Sequence, residues 1–421
     1  IEESDLDPDA VKIVRRLTRF DHSAYLVGGC VRDLLLDRRP KDFDVGTDAH
    51  PDDVRKLFRN CRLIGRRFRL AHVMFGREII EVATFRALQE VDADNGERHI
   101  DDEGRIVRDN VYGTPEEDAV RRVLTVNALY YNIADFSIID YADGVKDLEQ
   151  GVLRLLGDPE TRYREDPVRM LRAVRFAAKL GFRIDGATEK PIFELGGLLN
   201  DVPAARLFEE VLKLFLGGTA VGCFERMRQL GLFAELFPDT ERALTELDQA
   251  FPLTLVMQGL ENTDDRIREE KPVTPAFLFA VLLWEPVRQR AAELQSTGEP
   301  PYHALQRAAG EVLSRQLARV SLPRRFSTPM QEIWTLQSRF SNTRGKRPKR
   351  LLAHPRFRAA YDFLLLRAHA GEADKELADW WTAFQDGNAE APPPTAPGSA
   401  AKRARRGGRR RRRKPAATES Q

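Results

Sequence analysis

The spacing of apolar residues divides the chain into a mixed α/β region followed by a long helical region. Residues 1–20 predict a leading helix, because Val11, Val14 and Leu17 recur at helical spacing. Between residues 25 and 86 short apolar runs alternate with helical patterns. They predict strands at residues 25–27, 42–47, 67–75 and 78–85 and helices after the first strand and at 51–59. From Pro115 onward we predict helices only, most clearly at residues 165–180, 203–216, 220–231, 271–284, 302–320 and 354–389.

Two segments depart from this pattern. Residues 87–113 are polar and acidic, so we predict a long mobile loop there. Residues 391–400 are rich in proline and predict a linker. The resulting fold class is α+β: a small head with a mixed sheet and helices, an all-helical body and a disordered basic tail. The predicted domains are residues 1–135 (head), 136–235 (first helical region), 236–390 (helical body) and 391–421 (linker and tail).

Composition narrows the class of protein. The hydrophobic fraction of 42% is sufficient for a buried core, and no apolar run approaches the 18 residues of a membrane span. No signal peptide is recognisable, although the chain begins at Ile1 rather than Met. The three cysteines, Cys30, Cys61 and Cys223, form no CxxC pair. This usage argues against a zinc site and predicts a reducing, cytoplasmic location.

The net charge of +2 conceals an asymmetry along the chain. Residues 401–421 carry ten Lys or Arg and one acid, a local charge of +9, which leaves −7 on the other 400 residues. Such a tail repels itself and cannot bury apolar surface, so it is expected to stay disordered and to bind a polyanion. The densest run, and the predicted RNA contact, is Arg409, Arg410, Arg411, Arg412, Arg413 and Lys414.

The strongest chemical signal lies between Tyr25 and Val45. A glycine pair, Gly28 and Gly29, follows the first strand and precedes a short helix, so the backbone can approach a ligand closely. If Asp42 and Asp44 lie on one strand, they project from the same face. Two such carboxylates are suitable ligands for Mg²⁺. A phosphate-binding turn beside a carboxylate pair predicts nucleotidyl transfer.

The order and spacing of these residues resemble the head domain of the class II nucleotidyltransferases, a polymerase-beta-like family that includes tRNA CCA-adding enzymes and bacterial poly(A) polymerases. The resemblance implies that Asp42 and Asp44 hold Mg²⁺ or Mn²⁺ and that Gly28, Gly29 and Arg32 hold the triphosphate of ATP. Asp33 is either a helix-stabilising acid or a partner of Arg32. The third catalytic carboxylate is assigned to Glu81, with Glu78 as the weaker alternative.

Two further motifs carry the same resemblance. The run Arg121-Arg122-Val123-Leu124-Thr125-Val126-Asn127 is similar to the family motif Arg-Arg-Asp-x-Thr-x-Asn, which implies nucleotide binding by Arg122, Thr125 and Asn127. Val123 replaces the family's Asp, which can accept bonds from ribose or hold a neighbouring arginine. The change indicates a tolerated loss, a weakened enzyme or a variant residue.

The third motif, Glu165-Asp166-Pro167-Val168-Arg169, opens a helix on which Arg172 and Arg175 continue at intervals of three. The resemblance implies that Asp166 and Arg169 read the edge of the base. It likewise implies nucleotide and base recognition by residues 136–235 and RNA binding by the helical body at 236–390. From composition alone, an arginine-rich helix face is more often exposed to solvent without a binding role than part of a binding site.

Residues 63–86 and the basic tail favour the poly(A) polymerase branch of the family. That branch implies template-independent transfer of AMP from ATP to RNA 3′ ends, with ATP and RNA as partners and RNA-decay machinery as a further expected partner. The alternatives are a CCA-adding enzyme and a catalytically weakened RNA-binding homologue. Two residue types are interpreted as structural: His72, and the tryptophans Trp284, Trp334, Trp380 and Trp381.

Overall fold

The computed structural model of the 421-residue chain describes residues 1–65, 69–87, 98–100, 106–109, 111–247 and 254–387. The chain forms two compact units, Ile1–Met330 and Gln331–Gln421. The finer predicted boundaries at residues 135 and 235 remain predictions. Among the described residues, no helix combines the length and the apolarity needed to span a bilayer.

The first unit contains all the described strands. They are β1 (Ala24–Val27), β2 (Asp44–Thr47), β3 (Cys61–Ile64), β4 (Leu70–Phe75), β5 (Glu78–Thr84), β6 (Arg98–Ile100), β7 (Ile106–Asp109), β8 (Leu129–Tyr131), β9 (Ile138–Asp140), β10 (Val152–Leu153) and β11 (Arg183–Ile184). Seven of them form one sheet in the order β3-β4-β5-β2-β1-β8-β9. In this sheet β2 and β5 are parallel and the other neighbouring pairs are antiparallel.

Helices account for most of the remaining described chain. They are α1 (Pro8–Arg19), α2 (Gly29–Leu35), α3 (Pro51–Leu57), α4 (Pro115–Arg121), α5 (Gly144–Gln150), α6 (Pro159–Glu165), α7 (Val168–Leu180), α8 (Gly186–Leu195), α9 (Ala204–Phe215), α10 (Ala220–Gln229), α11 (Leu232–Leu236), α12 (Pro238–Leu247), α13 (Thr254–Arg268), α14 (Pro275–Leu282), α15 (Trp284–Ser296), α16 (Pro301–Leu317), α17 (Arg324–Gln337), α18 (Arg347–Leu352), α19 (Phe357–His369) and α20 (Lys375–Gln385). Short 3₁₀ turns lie at Glu3–Asp5, Thr125–Asn127 and Gly196–Asp201.

The leading helix α1 illustrates how the sequence specifies these elements. Asp7 caps its N-terminus by accepting bonds from the amides of Asp9 and Ala10, and Pro8 occupies the first turn. Val14 and Leu17 are buried at helical spacing. The predicted helix is therefore confirmed, with its start and end fixed by the cap and by Arg19.

The core of the head surrounds two aromatic side chains, Phe85 and Tyr130, which are buried with Val27 and Ala119. The second unit has a core of its own around Trp381, which packs against Phe340, Phe357 and Leu364. Trp284, Trp334 and Trp381 are fully buried as predicted, whereas Trp380 is partly buried against the same core.

The mixed-sheet head and the helical body are confirmed, but three local predictions are wrong. The strand predicted to begin at Asp42 begins at Asp44, so Asp42 precedes it. The predicted loop at 87–113 contains the β6–β7 hairpin within its described part. The chain after Pro115 is not helical throughout, because β8 and β9 complete one edge of the sheet and β10 pairs with β11. Strands of two or three residues are too short to produce a recognisable period.

Candidate active site

The glycine pair forms a tight connection between β1 and α2. Gly28 has φ +79°, a conformation that strains any residue with a Cβ. A Cβ at Gly28 would lie 2.9 Å from Arg122 Nη1, and one at Gly29 would lie 3.7 Å from Arg32 Nη2. Both guanidinium groups therefore lie against the backbone of this turn. Gly28 has no room for a side chain, as expected of a turn that ligands approach closely.

Asp44 and Glu81 lie next to each other, because they are register partners on the parallel strands β2 and β5. Their side chains therefore project from the same face of the sheet. Asp42 lies two residues before β2, on the wall of a cleft that Arg39, Lys41 and Glu78 also line. Among the described residues, no group of three or more His, Cys, Asp or Glu side chains is close enough together to hold a metal ion.

Asp44 is largely buried and has two carboxylates and one guanidinium as charged neighbours. Burial, followed by the neighbouring charge of Glu81, raises the pKa of the Asp44 carboxyl to about 6, and Asp42 adds to the effect while Arg122 opposes it. These three carboxylates offer the hard oxygen ligands that Mg²⁺ and Mn²⁺ prefer. A divalent cation would also offset the repulsion from Glu81 and Asp42, which adds to the effect of burial. The chemistry of this donor set therefore fits a divalent metal, and binding would require the three side chains to draw closer together than they lie here.

His72 is the cross-strand neighbour of Glu81 on β4. Its Nε2 atom lies 3.2 Å from a Glu81 carboxylate oxygen, but without the alignment of a hydrogen bond. About half of the Glu81 side chain is exposed. Glu81 is thus held loosely on its strand, with its carboxylate accessible from solvent.

Arg32 is almost completely buried and has fixed partners. Its Nε and Nη2 donate to Asp33 Oδ1 at 2.8 and 2.6 Å, and its Nη1 donates to Asn127 Oδ1 at 2.5 Å. The guanidinium also lies over the ring of Phe176, 5.5 Å from its centroid. Of the two predicted roles for Asp33, the link to Arg32 is the one observed. Two N–H groups of Arg32 are not used by these bonds.

Arg122, next to Gly28, is also held by fixed partners. Its Nη2 donates to Asp118 Oδ2 at 3.1 Å, and its Nη1 reaches the backbone oxygen of Asn127 at 3.4 Å. Tyr130 donates to the same Asp118 oxygen at 2.8 Å. Asp118, one helical turn before Arg122, thus supplies the carboxylate that Val123 lacks.

The hydroxyl group of Thr125 is hydrogen-bonded within the protein. Its Oγ1 donates to the buried Asp147 at 2.7 Å, and Arg154 also contacts that carboxylate at 3.2 Å. Gly144 approaches so closely that a Cβ there would lie 2.4 Å from the backbone oxygen of Thr125. This network fixes the 3₁₀ turn that presents Asn127 to Arg32.

The third motif joins α6 to α7. Arg169 Nη1 donates to Glu165 at 2.6 Å and to the backbone oxygen of Arg162 at 2.7 Å. Asp166 accepts a bond from Arg206 on α9 at 2.8 Å. Arg162 in turn donates to the backbone oxygens of Arg121 and Arg122. Bonds along the chain therefore connect the third motif to the second.

The structure brings the glycine turn, Asp44, Arg32, Arg122 and Asn127 together, and their roles in binding stay predictions. The predicted RNA contacts at Arg409 to Lys414 lie outside the described residues.

Two residues of the site, Asp118 and Asp147, were not predicted from the sequence. Asp118 had a detectable signal, since it precedes Arg122 by four residues on a predicted helix. Asp147 had none, because its partner Thr125 is 22 residues away.

Three family models match the chain. Residues 24–154 match a poly(A) polymerase head domain, and residues 181–244 match a probable RNA- and SrmB-binding site of polymerase A. Residues 297–416 match an arginine-rich C-terminus of polymerase A. The matches follow the order head, helical region and basic tail that the sequence predicts.

Among known proteins, the chain is 51% identical to poly(A) polymerase I of Salmonella typhi, over 93% of this chain and 85% of that protein. It is 37% identical to a CCA-adding enzyme of Bacillus subtilis, over 54% of this chain and 55% of that enzyme. A solved tRNA nucleotidyltransferase, in complex with a primer tRNA and an incoming ATP analogue, has the same fold. The TM-score is 0.61 at 21% identity, over 89% of this chain and 98% of that one.

Proposed function

The chain belongs to the poly(A) polymerase family, and we propose that it adds AMP from ATP to RNA 3′ ends without a template and releases pyrophosphate. The observation that carries the proposal is the extent of the likeness. Identity to poly(A) polymerase I extends over 93% of the chain, whereas identity to the CCA-adding enzyme covers 54%. The helical body and basic C-terminal region therefore follow the poly(A) polymerase pattern.

In the proposed mechanism the triphosphate lies along the glycine turn. Gly28 and Gly29 expose their backbone there, and guanidinium groups flank it: Arg122 on the Gly28 side and Arg32 on the Gly29 side. Both arginines are oriented before the nucleotide arrives, by Asp33 and Asn127 and by Asp118. Fixed donors of this kind stabilise charge without reorganising during the reaction.

Asp42, Asp44 and Glu81 are the residues that would hold a divalent ion. Bound there, such an ion would activate the attacking 3′-hydroxyl and neutralise the leaving pyrophosphate. The carboxylates themselves must be ionised to bind it, and the raised pKa of Asp44 makes that step pH-dependent. Glu81 acts with Asp44 because the two lie side by side on parallel strands.

Selection of adenine is assigned to Asp166 and Arg169. Asp166 accepts from Arg206, and Arg169 donates to Glu165, so neither side chain rotates freely. Held in this way, a carboxylate and a guanidinium can offer an acceptor and donors to a base edge. The preference for ATP would then depend on the geometry of the α6–α7 junction.

A primer-extension assay tests the proposed function. The protein is incubated with a labelled oligo(A) primer, Mg²⁺ and each nucleoside triphosphate separately. Long products with ATP alone support polyadenylation. A CCA-adding enzyme would instead use CTP and then ATP to extend a tRNA that lacks its 3′ terminus. Extension would stop once that terminus is complete. Absence of transfer with every nucleotide, together with retained RNA binding, would identify the weakened RNA-binding homologue.

A cytoplasmic location and contact with RNA-decay machinery remain predictions from the sequence. A direct test of the second is affinity capture of the full chain from a ribonuclease-treated lysate, followed by identification of the bound proteins. Ribonuclease removes partners that are held only through RNA. Finding no RNA-decay protein would exclude a stable direct contact.

A further inference from the structure

The second unit carries a segment whose charged residues are all positive. From residue 333 to residue 361 there is no Asp or Glu, yet there are eight Lys or Arg. The whole chain has 67 basic and 65 acidic residues, so eight consecutive charges of one sign are not expected from composition. We call these residues the α18 basic surface: Arg339, Arg344, Lys346, Arg347, Lys349, Arg350, Arg356 and Arg358.

All eight side chains are exposed, and most of the larger apolar residues between them are buried. Phe340 follows Arg339, and Phe357 separates Arg356 from Arg358; both aromatic rings belong to the core around Trp381. Pro348 and Leu351 on α18 are likewise buried. The positive side chains therefore all point away from one common core.

Few of these charges are neutralised within the described part of the chain. Arg356 pairs with Glu332 at 3.0 Å, and Arg358 pairs with Asp362 at 3.1 Å. Arg347 donates to the neutral side-chain oxygen of Asn342 at 3.0 Å. The other five cations have no carboxylate oxygen within 4 Å among the described residues: Arg339, Arg344, Lys346, Lys349 and Arg350. Exposed, unpaired cations at this density attract a polyanion.

We propose that the α18 basic surface binds the phosphate backbone of the RNA substrate, as a folded contact separate from the predicted tail contact at 409–414. The inference rests on the proposed function, which supplies RNA as the polyanion. A membrane surface fits less well, because α18 leaves only Leu352 partly exposed among its apolar side chains. The contact is sequence-blind, since bonds to phosphate oxygens carry no information about the bases.

The test measures the salt dependence of RNA binding by the full chain. Fluorescent 20-nucleotide oligo(A) is titrated in EDTA, which prevents extension, at several salt concentrations. The test variant replaces Arg339, Arg344, Lys346, Lys349 and Arg350 by Gln. Arg347 is retained because it bonds to Asn342. If all five contact phosphates, the slope of log K against log salt should fall by about 3.5, given about 0.7 per single-strand phosphate contact.

The matched control removes five exposed charges from the head by replacing Arg19, Arg55, Arg59, Arg62 and Lys146 with Gln. It has the same net charge as the test variant, so a general charge effect would lower both slopes equally. The proposal predicts a large decrease for the test variant alone and an unchanged melting temperature. Equal slopes for the test variant and the wild-type protein, or equal decreases in both variants, overturn it.

Two further measurements distinguish a phosphate contact from a membrane contact and from a base-specific contact. Binding to vesicles containing phosphatidylserine is measured for the same proteins; a loss there with RNA binding intact would overturn the proposal in favour of a membrane contact. Oligo(C) should show the same slope change as oligo(A), whereas a change limited to oligo(A) would contradict a backbone contact. Failure of the wild-type protein to add AMP would refute the proposed function. The binding slopes would still test the α18 basic surface, because they are measured in EDTA without nucleotide transfer.

Discussion

Asp44→Asn should abolish AMP transfer and, in the absence of metal, stabilise the protein. The carboxyl pKa is raised from 3.8 to about 6 in the folded chain, so the folded state binds this proton more tightly than the unfolded state. Stability therefore falls as the pH rises from about 4 to about 6 and stays reduced above that range. A difference of about two pKa units corresponds to about 3 kcal/mol, and partial solvent access reduces this to about 2–3 kcal/mol.

Asparagine has the same shape without the charge, so the variant avoids this cost. The first unit spans Ile1–Met330, and an unfolding entropy of about 2.1 cal/mol/K per residue converts about 2–3 kcal/mol into a rise of about 3–4 °C in its melting temperature. The assay is thermal unfolding in EDTA at several pH values from 4 to 8. The two proteins should differ at pH 7.5 and converge near pH 4.

Two controls make this measurement specific. Glu81→Gln removes the principal neighbouring charge and should give a smaller stabilisation. Glu149→Gln neutralises an exposed carboxylate on α5 and should change nothing. Added Mg²⁺ should raise the melting temperature of the wild-type protein but not that of the Asp44 variant. Equal melting temperatures at pH 7.5 in EDTA, or a difference that persists at pH 4, would refute the reasoning.

Three further predictions concern other parts of the chain. Arg169→Ala should lower the preference for ATP over CTP, GTP and UTP in single-nucleotide extension; an unchanged preference would remove Arg169 from base selection. Deleting residues 398–421 should weaken RNA binding and reduce its salt slope without changing the melting temperature, and an unchanged slope would exclude the tail as an RNA contact. Asp147→Asn replaces the charged acceptor of Thr125, a bond to an ionised group worth about 1.5–3 kcal/mol, and should reduce kcat/KM for ATP about tenfold or more. Unaltered kinetics would show that Asp147 does not position the nucleotide site.

The sequence predicted those parts of the site that are local in the chain. The glycine turn was recognisable because Gly28 and Gly29 stand between a strand and a helix, and the backbone geometry confirms the tight turn. Arg32 and Asp33 are adjacent in sequence, so their ion pair was one of two stated possibilities. Local geometry of this kind follows from the order of residues alone.

Contacts between distant residues could not be predicted in the same way. Asp44 and Glu81 become neighbours because β5 pairs in parallel with β2, and no periodicity determines strand order. The bond between Arg32 and Asn127 joins residues 95 positions apart. β8 supplies the segment beside Asn127, and with three residues it was too short to be recognised as a strand. The strands and site residues that the sequence did not predict therefore depend on contacts between segments that are distant in the chain.

The Val123 mismatch is explained by the distribution of charge around the glycine turn. Each flanking arginine has a carboxylate of its own: Asp33 for Arg32 and Asp118 for Arg122. Because Asp118 already holds Arg122, an Asp at position 123 is not needed to orient it. The pKa of Asp44, by contrast, is raised first by burial and then by the charge of Glu81, so a divalent cation bound there would stabilise its ionised form. The proposed site thus offers oriented cations for phosphate and carboxylate ligands for metal, the two features that nucleotidyl transfer requires, and Val123 alone is no reason to regard the enzyme as weakened.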